Sequence, residues 1–122
     1  MKPFLQRLVL FTACALLLLT SGCKSYWIDS TVDNQTGEPI RELEVDYPTA
    51  SFGTNSLAPG AAMHYRFQVR GSGPVKVEYT DPAGKVIHAQ GLALAEHQQG
   101  QLLIQLLPAG KVQFTPRLQP AS

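Results

Sequence analysis

The sequence predicts an all-β fold: a single antiparallel β-sandwich of about seven strands. Three observations carry this prediction. Apolar side chains recur at every second position over most of the chain after residue 26, the period of a strand with one buried and one solvated face. Clusters of Gly, Pro, Asn and Asp separate these runs, as turns separate short strands. Helical periodicity is nearly absent over the same stretch.

The elements follow in order. Ile28, Ser30 and Val32 make a first strand, and Asn34-Gln35-Thr36-Gly37 is a turn. Leu43, Val45 and Tyr47 alternate with Glu42, Glu44 and Asp46 in a second. Leu57-Ala58-Pro59-Gly60 precedes a third, where Met63, Tyr65, Phe67 and Val69 alternate with His64, Arg66, Gln68 and Arg70. Gly71-Ser72-Gly73-Pro74 joins it to Val75, Val77 and Tyr79 and reads as a hairpin. Asp81-Pro82-Ala83-Gly84 has the residue order of a type I turn, and Val86 and Ile87 begin the next strand. In Gly91 to Gly100, Leu92 and Leu94 at spacing two favour a strand and polar loop over a helical turn. Leu102 to Leu107 is broken only by Gln105 and reads as a central strand buried on both faces. Leu107-Pro108-Ala109-Gly110 is a further turn, and Val112 and Phe114 close the sheet. From Pro116 the pattern weakens, and a frayed tail is expected. This count and spacing fit an immunoglobulin-like or a transthyretin-like sandwich; the Cys…Trp…Cys signature of immunoglobulin domains is missing, so the topology stays open.

The start of the chain has a different character. Lys2 and Arg7 precede an apolar run from Leu8 to Leu19, followed by Thr20, Ser21, Gly22 and Cys23. The run is about a dozen residues, whereas a spanning helix needs roughly 20. A charged start, a short apolar run and a small-residue end are the parts of a cleaved secretory signal. The segment resembles the signal peptide and lipobox of bacterial lipoproteins, with Gly22 directly before Cys23 and Thr20 where the family most often has Leu. The resemblance implies cleavage before Cys23 and acylation of its thiol and new amino terminus. One acyl chain anchors weakly and two or more anchor stably. Lys24, in place of the Asp that retains Gram-negative lipoproteins in the inner membrane, implies the outer membrane.

The expected organisation is a removed signal at 1–22, a lipidated N-terminus and short tether at 23–26, a sandwich over 27–115 and a flexible tail at 116–122. Cleavage leaves 100 residues, one domain's worth, with eight basic and nine acidic side chains. No basic surplus remains to neutralise phosphates, so nucleic-acid binding is excluded as a partner class. Cys14 departs with the signal and Cys23 is consumed by lipid, so no disulfide, redox or cysteine-catalysis reading survives.

Little else in the chain carries chemistry. His64, His88 and His97 show none of the close spacings of zinc sites. No Gly-x-Ser-x-Gly is present, Ser72 belongs to a turn, and Gly71 and Gly73 are too close for a phosphate loop and precede no helix. No enzyme activity and no cofactor are expected. Glu42, Glu44 and Asp46 share one strand face by alternation and are the candidate cation ligands, with calcium the ion such oxygens suit; otherwise they form a solvated face that discourages edge pairing. His64, Arg66 and Arg70 are candidate ion-pair partners for them. Tyr47 and Phe52 mark a connecting segment and are the candidate partner-binding residues, the alternative being that Phe52 caps one end of the sandwich. Two placements are open for Trp27: with Tyr26 in the headgroup region of a membrane, or in the core.

Two resemblances extend this reading. Thr36-Gly37-Glu38-Pro39-Ile40 followed by Leu43 and Val45 resembles the start of carboxypeptidase-regulatory and transthyretin-like modules. The whole chain after Cys23, with Glu44-Val45-Asp46-Tyr47-Pro48, Ser51-Phe52-Gly53, Leu57-Ala58-Pro59-Gly60 and Gly71-Ser72-Gly73-Pro74, resembles small bacterial lipoproteins. Together they imply a lipid-anchored outer-membrane protein with a non-enzymatic sandwich that meets an envelope partner. A small-ligand or calcium-binding module built on Glu42, Glu44 and Asp46 is the alternative.

Overall fold

A computed structural model describes residues 26–119; the signal segment, Cys23 and Lys24 lie outside them. Eight strands run β1 (Ile28–Asn34), β2 (Ile40–Tyr47), β3 (Ala50–Leu57), β4 (Ala62–Phe67), β5 (Gly73–Thr80), β6 (Val86–Leu94), β7 (Gln99–Leu107) and β8 (Lys111–Gln119). They form two four-stranded sheets, ordered β4-β1-β7-β8 and β3-β2-β5-β6. The sandwich is as expected, with one strand more. That strand is β3: its Ala-Ser-Phe-Gly-Thr-Asn-Ser-Leu sequence has low strand propensity, and pairing with β2 from Tyr47↔Ala50 to Ile40↔Leu57 holds it extended.

All pairings are antiparallel except β1 with β7, which run parallel. An immunoglobulin domain places its first, second, fifth and fourth strands in one sheet. Here β1 and β2 lie in opposite sheets, so the immunoglobulin alternative falls and the transthyretin-like one remains. The Gly71–Pro74 segment is likewise not a hairpin. It carries the chain from β4, at the edge of one sheet, to β5, inside the other. Local alternation shows that two runs are strands but not which neighbours they choose.

The alternating residues face inward as their period requires. Ile28, Val32, Leu102, Ile104 and Leu106 from one sheet meet Leu43, Val45, Val75, Val77 and Tyr79 from the other, all nearly inaccessible. Each such aliphatic side chain contributes about 1.5–3 kcal/mol on burial. β7 is central, but only one of its faces is fully buried: Leu103 and Leu107 on the other are half-exposed. The continuously apolar run therefore marks a central place in the sheet and not a covered outer face. Most of the expected tail is strand, because Pro116 to Gln119 pair with Leu102 to Gln99. Pro116 is tolerated there because β8 is an edge strand, where one row of N–H groups needs no partner.

Two bulges bend the second sheet. β2 keeps its register with β3 but slips by one residue against β5 between Arg41 and Glu44. The extra residue, Glu42, sits at φ +52°. β6 slips against β5 opposite the Pro74–Lys76 step, which places its bulge at Gly91 and Leu92.

Candidate functional site

Strand direction gives the sandwich two distinct ends. At one, Ile28 pairs with Phe67 and Gly100, and Gly100 pairs with Leu118. Tyr26 and Trp27 precede β1 at this end. At the other end lie Asn34, the β5–β6 turn and the β7–β8 turn. The seven residues of β1 separate the ends by about 23 Å, at roughly 3.3 Å per residue.

The far end carries a groove of about 750 Å³ between three turns. Ile40, Tyr79 and Ile87 form its apolar part, and Leu107 to Gly110 form the facing wall. Glu38, Asp81, Lys85 and His88 stand around it. Each wall has a local cause. In the β5–β6 turn, the Gly84 N–H donates to the Asp81 carbonyl at 3.0 Å and the Asp81 N–H to the Lys85 carbonyl at 2.9 Å. The Lys85 N–H donates to Asp81 Oδ1 at 2.8 Å, so the predicted Asp-Pro-Ala-Gly turn closes as its residue order requires. Ala109 at φ +64° turns the β7–β8 wall. Burial, then the nearby Asp81 charge, push the Tyr79 phenol above its ordinary range and keep it neutral.

The third wall hangs on Asn34, which is wholly buried. Its Nδ2 donates to the carbonyls of Glu38 at 2.8 Å and Leu57 at 3.0 Å. Its Oδ1 accepts from the Thr36 amide at 3.1 Å and the Thr36 hydroxyl at 2.7 Å. One side chain thus ties the β1–β2 turn to the end of β3. The sequence marked Asn34 only as the first residue of a turn; nothing local signals that its amide would be sealed between sheets.

The acidic side chains of β2 share the outward face that alternation predicts: Glu42, Glu44 and Asp46 point out while Leu43 and Val45 are buried. The bulge falls before this run, where Arg41 and Glu42 are exposed in succession. Glu42 accepts a hydrogen bond from the Thr80 hydroxyl at 3.3 Å. Glu44 and Asp46 have Glu78 and Lys76 directly across on β5. Repulsion from Asp46 is the largest of the causes that raise the Glu44 carboxyl above the usual carboxylate range, followed by desolvation. His88 Nδ1 lies 3.7 Å from Glu78 Oε2. Among the described residues, no three His, Cys, Asp or Glu side chains gather to hold a metal ion. The basic side chains expected opposite this face belong elsewhere. Arg66 lies in the other sheet, 3.5 Å from Asp29, and His64 contacts the Thr31 hydroxyl at 3.0 Å.

Tyr47 and Phe52 close the sandwich side where β3 and β4 meet. Tyr47 stacks on Phe67 at 4.1 Å between centroids, and Phe52 on Tyr65 at 4.5 Å. Phe52 is buried and Tyr47 half-buried, so Phe52 seals this side of the sandwich and not one of its ends. Tyr65 is the accessible ring of the four; its place on an alternating strand concealed it. Trp27 is in neither the core nor open solvent: it is half-buried on the outer side of β1 with the Arg66 guanidinium 4.9 Å from its ring centroid. Tyr26 packs on His97 at 4.7 Å. Cys23, the candidate lipidation site, lies outside the described residues.

No protein-family profile matches this chain, and no curated protein does. One similar solved structure is an NMR structure of a protein from Eubacterium rectale, with 15% sequence identity and a TM-score of 0.55. The likeness covers 79% of this chain and 95% of that one. At this identity it concerns the fold alone.

Proposed function

We propose that the protein is a lipid-anchored lipoprotein of the bacterial envelope, held at the outer membrane. Its transthyretin-like sandwich is non-enzymatic and presents its far end to an envelope protein. The observation that carries this reading is the opposition of the two ends. Tyr26, three residues from Cys23, stands at one end of the strands and the groove at the other. A membrane attached through Cys23 therefore lies away from the groove. The lipobox resemblance at Gly22-Cys23 and the residue Lys24 support the anchor and its membrane.

Two measurements test the reading. Cys23→Ser is expected to abolish palmitate labelling and release the protein from membranes; labelling that persists refutes the anchor. Photo-crosslinkers placed in cells at Lys85 and Lys111, at the far end, are expected to capture a defined protein more strongly than one at Arg70. Capture from Arg70 alone refutes the orientation. The calcium alternative has less support, because among the described residues no three carboxylates gather to hold an ion and Lys76 stands across from Asp46.

A further inference from the structure

We propose that the first half of β6, Val86 to Gln90, accepts an extended peptide segment of the partner as an added strand. Inward side chains of that segment enter the groove beside it. The proposal rests on the reading of the far end as the partner-binding face and names the class of ligand that face takes.

The backbone supplies the first reason. The Asp81 N–H donates to the Lys85 carbonyl, so these two residues form a hydrogen-bonded pair of the ladder. Such pairs alternate along antiparallel strands. The next two are Tyr79 with Ile87 and Val77 with Ala89. The N–H and C=O groups of Val86, His88 and Gln90 therefore point away from β5, along the free edge of the sheet. The bulge at Gly91 and Leu92 ends this regular row.

The second reason is what sets this edge apart from the other three among the described residues. Edge strands are usually protected by charge, proline, shortness or cover. β8 carries Lys111, Pro116 and Arg117, and β4 is six residues long with Arg66 among them. β3 has no charge, but the stack of Phe52 on Tyr65 seals the gap between the sheets beside it. β6 has neither a charged residue nor a proline. The gap beside it is sealed where Gly91 admits the Phe114 ring: a Cβ on Gly91 would lie 2.6 Å from that ring. From Val86 to His88 the gap opens as the groove, and Val86 is 45% exposed. A strand laid there would pair its backbone with β6 and send alternate side chains towards Ile87 and Tyr79.

Charge selects the occupant. Around the groove Glu38 and Asp81 outnumber Lys85. On the outer face Glu42, Glu44, Asp46 and Glu78 outnumber Arg41 and Lys76, and the raised Glu44 carboxyl reflects that crowding. A segment that alternates apolar and small polar residues and carries Lys or Arg is complementary. A second copy of this chain would bring its own acidic surplus against this one.

The test uses the purified full chain in detergent and a pool of labelled heptapeptides. These have Lys at both ends and Val, Ile or Phe alternating with Thr between. Hydrogen exchange at the Val86, His88 and Gln90 amides is expected to slow on addition of the pool. His88→Pro removes one outward N–H and no bond to β5, so it should fold and weaken binding about two- to tenfold, the value of one backbone bond. Should that variant misfold, pool members N-methylated at alternate residues serve the same purpose and are expected not to bind; Glu in place of Lys is expected to weaken binding. N-methylated members that bind equally well overturn strand addition in favour of side-chain docking. No slowing at the three amides with any member overturns it outright, and so does a dimer that His88→Pro abolishes. If far-end crosslinks persist in cells through such a failure, only the strand proposal falls; if they are absent, the partner-binding face itself falls.

Discussion

Replacing Asn34 separates its shape from its hydrogen bonds. Asn34→Ala removes two donated and two accepted bonds at a wholly buried position. The Thr36 hydroxyl, released from Asn34, donates its one proton to the Glu38 carbonyl 3.0 Å away, and Thr36 is only half-buried, so its amide is within reach of water. The Leu57 carbonyl has no such substitute. Leaving one buried acceptor unpaired costs about 1–3 kcal/mol, and each remaining bond about 1 kcal/mol. The expected loss is about 3 kcal/mol, or roughly 12–24 °C in Tm for a domain of this size. Asn34→Asp keeps the shape but points an oxygen at the Glu38 and Leu57 carbonyls. Ionised, it would be repelled by both; protonated, it could still donate one bond. Its folded-state pKa must therefore rise above the ordinary value of about 3.9. Above that value the folded state holds a proton that the unfolded state has released, so stability falls as pH rises. The slope approaches about 1.4 kcal/mol per pH unit until the folded pKa is reached. Urea unfolding of both variants from pH 4 to 8 is the assay. The aspartate variant should be the less stable of the two at pH 7, and at least as stable as the alanine variant at pH 4. A pH-independent Asn34→Asp, or an Asn34→Ala that costs under about 1 kcal/mol, would refute the assignment of Asn34 as the tie between turns.

Two further outcomes follow from packing and titration. Gly91→Ala should cost about 2 kcal/mol, because a Cβ there meets the Phe114 ring; pairing it with Phe114→Leu should recover part of the loss in a double-mutant cycle of denaturant midpoints. Burial, with the neighbouring Tyr65, raises the Tyr47 phenol above its usual value, so the folded state keeps a proton that unfolded tyrosine loses near pH 10. Stability should therefore fall as pH rises from about 10 upward, and Tyr47→Phe should flatten the decline between pH 9 and 11.

The strands with clean alternation were legible, Val75 to Tyr79 residue by residue and Met63 to Phe67 except for the exposed Tyr65, because period two depends only on the chain's own pleat. β3 was not, because its strand state comes from β2 across the sheet. The turn at Asp81 was legible because its bonds close within five residues. The crossover at Gly71 to Pro74 looked like a hairpin because its glycines suit either connection. Of the candidate site residues, Glu42, Glu44 and Asp46 share an outward face as alternation requires. The bulge at Arg41 and Glu42 was hidden, because a bulge on one side of β2 has no signature in that strand's own side chains. Tyr47 and Phe52 were visible as aromatics, but their burial depended on Tyr65 and Phe67 arriving from the other sheet.

The sequence by itself determined the all-β class, the main turns, the composition of the core and the lipobox resemblance at Cys23. Each depends on residue type and spacing along the chain. Only the tertiary structure decided the order β4-β1-β7-β8 and β3-β2-β5-β6, the closure of one side by four aromatic rings, and the groove beside an unpaired β6. Those features depend on which strands become neighbours. Pairing is settled by the joint burial of residues far apart in sequence, which no short window of the chain contains.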